Sequence, residues 1–144
     1  MTKILYWHLW TDGEGTSHLT RCSINHFELK AIQPTADPQW LSEKTRAEMT
    51  TVFTVLPVGW TGEWHENPKP QWIIPLSGRW FVEAMDGTRV EMGAGEISFG
   101  GDQNCRQRDD KTGHRSGTIG DDPAVLLLVQ LHETTAVPPS CASR

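Results

Sequence analysis

The side chains best suited to chemistry in this sequence are its histidines. There are six of them: His8, His18, His26, His65, His114 and His132. A neutral imidazole is a good ligand for zinc, iron or nickel, and a carboxylate such as Asp102 can add an oxygen ligand. Without a metal, two neighbouring imidazoles can act as general base and general acid near neutral pH. The chemistry therefore depends on which histidines the fold brings together.

The segment around His65 resembles the first motif of the cupin superfamily. That motif has a histidine, a second ligand two residues later, a glutamate six residues after the histidine, and a glycine seven residues further on. The corresponding positions here are His65, Asn67, Gln71 and Gly78. The spacing is kept, while two of the three metal-binding side chains differ. The asparagine, which precedes a proline, is expected to serve the turn and not to bind a metal.

The second cupin motif resembles Gly93-Ala94-Gly95-Glu96, with Ser98 at the expected histidine position. The match covers roughly residues 50–131. A group of small bacterial cupins of unassigned function is more similar, and its segments correspond in order to Ser17-His18, Trp64-His65, Pro68, Gln71, Asp102 and Gly113-His114. In that group the loop before the final G-H is shorter, so residues 103–112 are an insertion. The resemblance implies a cupin-type jelly-roll barrel.

The cupin register implies a pocket inside that barrel. Because the side chains of a strand alternate between two faces, His65 and Gln71 are both expected to point inward, with Trp80 and Ile73 lining the pocket. By the same alternation Val82 and Ala84 are expected to point inward with Trp80. A long polar loop returns His114 to its open end. The resemblance therefore implies catalytic residues His65, His114 and Asp102, substrate-binding residues Trp80, Ile73 and Gln71, and metal ligands His65, Gln71 and His114.

Two classes of function fit such a pocket. The first is a small-molecule enzyme, metal-assisted through iron, zinc, nickel or manganese, of lyase, isomerase, cyclase or oxygenase type. An oxygenase needs a metal with an open position, whereas a lyase, isomerase or cyclase can work with acid–base groups alone. The alternative is a non-catalytic module that binds a small ligand in an aromatic pocket. A purely structural dimer leaves the inward polar groups unexplained.

Composition excludes several other classes. The 144 residues suit one domain, with 37% apolar and 22% charged residues. A net charge of −5 offers no basic field for a nucleic acid. The longest apolar run, residues 124–129, is far shorter than the ~20 residues that span a bilayer, and the first residues do not resemble a signal peptide. We expect a cytoplasmic protein with a small-molecule substrate and no nucleic-acid or membrane partner.

The hydrophobic pattern predicts an all-β fold. Short alternating segments recur from residue 50 onwards, the D-G pair at 86–87 marks a hairpin, and 13 glycines with 9 prolines disfavour long helices. Residues 23–32 also read as one strand, and a short helix is expected over 41–49. The predicted organisation is N-terminal strands and helix over 1–49 packing on the barrel, the barrel over 50–133, and a C-terminal tail over 134–144 that is mobile or packs loosely on the outside.

The cysteines and two aromatic residues complete the sequence-based expectations. Cys22, Cys105 and Cys141 are odd in number and far apart, which predicts reduced thiols and no disulfide. The cupin resemblance implies a homodimer formed through the N-terminal strands. Trp72 and Phe81, outward by strand parity, are expected to be exposed at that interface.

Overall fold

The protein is built entirely from strands and connecting loops in the part that can be described. A computed structural model describes residues 3–133, 138 and 141. The strands are β1 (Ile4–Thr11), β2 (Ser17–Ile24), β3 (Phe27–Lys30), β4 (Gln39–Ser42), β5 (Met49–Leu56), β6 (Gln71–Ser77), β7 (Arg79–Ala84), β8 (Arg89–Met92), β9 (Ile97–Gly101), β10 (His114–Ile119) and β11 (Ala124–Leu131). The all-β prediction is confirmed. Within these residues no helix has the length and apolarity to cross a membrane.

The strands form two main sheets and a small hairpin. The larger sheet has six strands in the order β2-β1-β9-β6-β11-β5, and the smaller has the order β10-β7-β8. β3 and β4 form a separate two-stranded sheet. All neighbours are antiparallel except β1 and β9, which run parallel. The two N-terminal strands are therefore part of the same sheet as β6, β9 and β11.

An apolar core fills the inward faces of the two main sheets. It consists of Leu9, Leu19, Leu56, Ile73, Trp80, Val82, Ala84, Val90, Met92, Ala124 and Leu126. A second cluster, made of Tyr6, Cys22, Phe99 and Leu131, lies on the outward face of the six-stranded sheet. The inward direction predicted for Trp80, Val82 and Ala84 is confirmed, because all three belong to the first core.

The exposure predicted for Phe81 and Trp72 is wrong. Phe81 is 7% exposed, because the Arg89 guanidinium lies 3.8 Å from its ring centroid and Gly117 packs beside it. Trp72 is half-buried in edge-to-face contacts with Tyr6 and Phe99. Strand parity gives the face on which a side chain lies, but not whether a neighbour covers that face.

The helix predicted over 41–49 is not formed. β4 ends at Ser42, β5 begins at Met49, and the residues between have no regular structure. Pairing with β3 holds the start of this segment in extended form, and tertiary pairing overrides a weak local helical preference. The strand expected over 23–32 is likewise divided, since β2 ends at Ile24 and β3 begins at Phe27.

The absence of a disulfide was also predicted wrongly. Cys22, on β2, is bonded to Cys141, at a sequence separation of 119. Spacing along the chain carries no information about a contact made across that many residues. Cys105 is the free thiol. Apart from residues 138 and 141, the predicted tail lies outside the described residues.

Gly78 makes the tight connection between the two main sheets possible. It lies between β6 and β7 with φ +75°, and a Cβ there would overlap the carbonyl oxygen of Pro123. We expect Gly78→Ala to lower the free energy of unfolding by at least ~2 kcal/mol, from backbone strain plus overlap. Gly87→Ala is the matched control, because Gly87 also has positive φ but no atom within 4 Å of a Cβ. Urea unfolding measures both, and equal losses would contradict the overlap.

His8 makes stability depend on pH. It is 3% exposed on β1, its Nδ1 has no hydrogen-bond partner among the described residues, and burial lowers its pKa from 6.5 to about 4. The unfolded chain therefore takes up a proton between pH 6.5 and 4 that the folded protein does not, so stability falls as pH falls through this window. We expect about 2 kcal/mol of loss by pH 5 in the wild type that His8→Leu does not show. Urea titrations at pH 7.5 and pH 5 test this; parallel losses in both proteins would contradict it.

Candidate functional site

Polar side chains meet at one end of the sandwich, where several strands begin or end. β6 begins at Gln71, β9 ends at Gly101, and β10 begins at His114. Antiparallel pairing of β6 with β9 and with β11 brings Gln71 opposite Gly100 and Gln130. The strand ends and the loops next to them therefore face one another. The candidate site is built from residues of both.

Asp102 lies at the centre of this cluster. It follows β9 directly and has no exposed surface. Its Oδ2 lies 2.7 Å from Nδ1 of His114, and its Oδ1 accepts hydrogen bonds from the backbone N and the side-chain Nδ2 of Asn67, at 3.0 and 2.9 Å. Three donors thus converge on one buried carboxylate, which satisfies the rule that a buried charge must be paired and hydrogen-bonded.

These donors keep the carboxylate ionised. Burial alone would raise the pKa of Asp102, but the hydrogen bond and charge of His114 and the two hydrogen bonds from Asn67 outweigh it. The pKa of Asp102 is therefore below its ordinary value. The stability that the ionised form contributes is present above the ordinary carboxyl range and is lost as pH falls through the lowered pKa.

A chain of amides extends the cluster inward between the sheets. Gln71 Nε2 donates to Asn67 Oδ1 at 2.6 Å, and Gln130 Nε2 donates to Gln71 Oε1 at 3.0 Å. Gly100 makes room for this chain, because a Cβ at that position would overlap the Asn67 amide. Because the Asn67 side-chain oxygen accepts from Gln71, its side-chain NH₂ group points towards Asp102.

His65 lies beside His114 at the outer end of the cluster. The backbones of the two residues exchange hydrogen bonds of 3.0 and 2.9 Å, and their ring centroids are 4.7 Å apart with a 51° angle between the planes. Nδ1 of His65 lies 2.7 Å from the carbonyl oxygen of Glu63 and donates to it. His114 is buried, whereas His65 is exposed.

Both imidazoles therefore present the same free atom. Each uses Nδ1 as a donor, to Asp102 for His114 and to Glu63 for His65. Among the described residues neither Nε2 has a hydrogen-bond partner. When neutral, each ring then carries its lone pair on Nε2, and this is the atom that can accept a proton from a bound molecule.

Backbone contacts fix where His114 begins its strand. Ser17 Oγ donates to the carbonyl oxygen of Gly113 at 2.6 Å and accepts from the backbone N of Met85 at 2.8 Å. Gly113 has φ +66°, and a Cβ there would overlap the backbone of His65. The close approach of the two histidines thus depends on glycine at position 113.

The long polar loop before His114 is held against the β1–β2 turn. Arg106 N donates to the carbonyl of Gly15 at 2.8 Å, and Arg108 Nη2 donates to the carbonyl of Glu14 at 2.6 Å. On its other side Cys105 N donates to the Glu66 carboxylate at 2.9 Å. Residues 103–112 therefore contact two other loops at the same end of the sandwich.

Cys105 is not an activated nucleophile. Its sulfur lies 3.3 Å from Thr11 Oγ1 and 3.2 Å from the carbonyl oxygen of Asp102. Burial raises the pKa of the Cys105 thiol, with the negative charges of Asp102 and Glu66 acting in the same direction. The thiol form is therefore favoured, whereas nucleophilic attack and metal binding need the thiolate.

Of the three metal ligands expected from the sequence, His65 and His114 lie side by side, whereas Gln71 reaches the cluster through Asn67. Gln71 uses both amide atoms in buried hydrogen bonds, and both carboxylate oxygens of Asp102 are also engaged. Two imidazole nitrogens, from His65 and His114, remain. Consistently, the described part of the chain contains no group of three or more His, Cys, Asp or Glu side chains arranged to hold a metal ion.

The expected substrate-binding residues lie deeper in the core. Trp80 is 3% exposed and Ile73 is 5% exposed, and both pack in the core between the sheets. Trp80 lies four positions along β7 from Ala84, the residue opposite His114. Its buried Nε1 makes no hydrogen bond within the part of the chain that the structure describes. The structure thus brings His65, Asp102 and His114 together, reaches Gln71 through Asn67, and places Trp80 and Ile73 in the apolar interior.

Sequence reasoning missed the roles of Asn67 and Gln130. The sequence predicts a turn role for Asn67 because it precedes Pro68. In the structure Asn67 is 4% exposed and links Asp102 to Gln71. Its position two residues after His65, where the motif has a ligand, was a usable signal. The sequence around Gln130 does not indicate its role in the cluster, because its hydrogen-bond partner Gln71 lies 59 residues away.

A separate cavity of about 540 Å³ lies on the outward face of the six-stranded sheet, beside the β3–β4 hairpin. Tyr6, Ile24 and Trp72 line it, together with Pro138 and Cys141. His65, Asp102 and His114 do not line this cavity. It is therefore distinct from the candidate site.

No protein-family model matches this chain, and a search among curated proteins gives no significant match.

The orientation of His114 can be tested by removing the charge of its partner. Asp102→Asn leaves one side-chain oxygen as acceptor in place of two. The new side-chain NH₂ group then faces either His114 Nδ1 or the Asn67 nitrogens, which are themselves donors. We expect it to lower the free energy of unfolding by roughly 2–4 kcal/mol and to abolish the preference of His114 for the Nδ1–H tautomer. Urea unfolding and imidazole ¹⁵N chemical shifts measure the two effects. An unchanged tautomer in the variant would show that Asp102 does not orient the ring.

Proposed function

We propose that this protein is a small-molecule enzyme that works by general acid–base catalysis at His114, Asp102 and His65. The observation that supports this most directly is that a buried carboxylate holds Nδ1 of His114 and leaves its Nε2 open beside a second imidazole. A histidine oriented in this way by a carboxylate is the usual form of a catalytic base.

Each residue of the cluster has a defined task in this proposal. His114 Nε2 accepts a proton from the substrate, and Asp102 stabilises the imidazolium that forms. His65, at the exposed side, starts as the imidazolium and gives the proton on its Nε2 to the intermediate, and the proton gained by His114 then returns to His65 through solvent. Asn67 acts as a positioning residue, because its two hydrogen bonds fix the carboxylate that fixes the ring. Proton transfer within one molecule suits a lyase, an isomerase or a cyclase.

The fold assignment and the cellular setting belong to the same proposal. The cupin resemblance of the segments around His65 and His114 agrees with an all-β sandwich that holds its polar cluster at one end. Small-molecule substrates, without a nucleic-acid or membrane partner, suit the net charge of −5. The cytoplasmic location stays a prediction, and the Cys22–Cys141 disulfide is more typical of an oxidising compartment.

A metal-dependent oxygenase is the less supported version of this enzyme. Iron, zinc, nickel or manganese would find two imidazole nitrogens here, while Gln71 and Asp102 are engaged elsewhere. The acid–base proposal assigns every step to side chains of the chain itself. It therefore predicts activity that persists after treatment with a chelator.

Proton transfer can be assayed before the natural substrate is known. A panel of small hydroxy acids, keto acids and keto sugars is incubated with the protein in D₂O, and exchange of C–H protons is followed by NMR. We expect exchange on at least one compound class, and a 10²–10⁴-fold slower rate with His114→Gln or His65→Gln, since each removes a proton-transfer group. His132→Gln is the matched control, because His132 is exposed and its bonds within the described residues go to Thr50 and Glu48, away from the cluster.

Two results would count against the proposal. Exchange at the wild-type rate in both histidine variants would remove the cluster from the mechanism. Binding of a panel compound, seen by tryptophan fluorescence and lost in the variants but without any exchange, would favour the non-catalytic binding module instead.

A further inference from the structure

β5 differs from the other edge of the six-stranded sheet. It has the sequence M-T-T-V-F-T-V-L and contains no charged residue. β2, at the opposite edge, carries Arg21, and its first residue, Ser17, accepts hydrogen bonds from the backbones of Met85 and Asp86. Soluble proteins usually protect an edge strand with charges, proline or a covering segment. β5 has none of these among the described residues.

The outer backbone groups of β5 are available for pairing. The carbonyl of Glu48 accepts from the backbone N of His132, so it points towards β11. Alternate residues of a strand direct their backbone groups to opposite sides. The N–H and C=O groups of Met49, Thr51, Phe53 and Val55 therefore point away from β11, and no described strand pairs with them.

The side chains next to this edge are apolar. Phe53 is 67% exposed and Val55 is 59% exposed. Phe53 stands opposite Leu127, which in turn stands opposite Ile74, so the three form a row across β5, β11 and β6. Leu127 and Ile74 are half-buried. A contiguous apolar surface of this kind, beside an open edge, is typical of an interaction site.

We infer that β5 pairs antiparallel with β5 of a second copy of this chain. The open backbone groups require an extended strand as partner, and β5 itself is one that brings no charge and the same apolar row. A two-fold axis beside Val52 places Met49 opposite Val55 of the second copy, and Thr51 opposite Phe53 of the second copy. Every outward-pointing residue then faces another, and a contact between identical surfaces closes as a dimer.

This register has specific consequences. The four facing pairs exchange about eight backbone hydrogen bonds, two for each pair. The two copies of Phe53 become diagonal neighbours on the outer face, within reach of each other across the axis. Val52 stands directly opposite its own copy in a non-hydrogen-bonded pair, where Cα atoms approach to about 4.5 Å. The dimer thus joins two six-stranded sheets into one continuous sheet.

The interface differs from the N-terminal one implied by the cupin resemblance. β1 is an interior strand of the sheet, between β2 and β9, so its backbone groups are already paired. Of the two aromatic residues expected at that interface, Phe81 is buried and Trp72 is half-buried. The open edge is at β5.

Cysteine cross-linking tests the register directly. In a Cys105→Ser background, Val52→Cys places two thiols face to face across the axis, whereas Val55→Cys places them roughly 20 Å apart along the strands, six residues at ~3.3 Å each. We expect mild oxidation to convert most of the Val52→Cys protein into a disulfide-linked species of twice the 16.2 kDa chain mass. Val55→Cys should cross-link at least tenfold more slowly.

Sedimentation velocity on the unmodified protein tests the dimer itself. We expect a dimer at micromolar concentration, and at least a tenfold weaker association for Phe53→Lys, which brings two like charges together at the axis. Leu29→Lys is the matched control, because Leu29 on β3 is also exposed but lies outside the interface. Circular dichroism checks that each variant is folded.

Three outcomes overturn the inference. The first is a wild type that sediments as a monomer at 100 µM. The second is a Val52→Cys protein that cross-links no faster than Val55→Cys, and the third is a folded Phe53→Lys protein that retains the wild-type dimer. The last two would place any dimer on another surface.

Discussion

The structure at the functional end depends on one buried carboxylate, that of Asp102. It has no exposed surface and is stable there because three donors, one from His114 and two from Asn67, converge on it. These donors come from the loop before β6 and from the first residue of β10, which are far apart in the sequence, so the ionised carboxylate holds both against the end of β9. Without it, an imidazole and an amide would face each other with unsatisfied donors in a buried position.

Two buried titratable groups show how surroundings decide protonation. Asp102 stays charged because its donors outweigh the effect of burial, whereas His8 stays neutral because burial disfavours its charged form and no described group bonds to its Nδ1 to offset this. The first group can stabilise an imidazolium on His114 during proton transfer. The second contributes only packing, between Tyr6 and Phe99. Burial alone therefore does not identify a catalytic group, and the hydrogen-bond partners do.

Local pattern predicted much of the fold, and its failures have a common cause. Strands β5 to β9 and β11 follow segments whose apolar residues alternate or run continuously, so they were recognisable. No such pattern marks β10, because H-R-S-G-T-I has no apolar alternation and the strand is held by pairing with β7. The helix expected over 41–49 and the reduced thiols expected at Cys22 and Cys141 failed for the same reason, since partners distant in the chain decide both.

The sequence by itself determined an all-β chain, the inward face of Trp80, Val82 and Ala84, and the set of side chains from which a site could be made, including His65, Asp102 and His114. Only the tertiary structure decided that Asp102 binds Nδ1 of His114, that Asn67 and Gln130 join the cluster, and that the Gln71 amide is fully engaged. Side-chain alternation is a local property of each strand. The distance between two hydrogen-bonding atoms depends on how separate strands and loops pack, and no local pattern contains it.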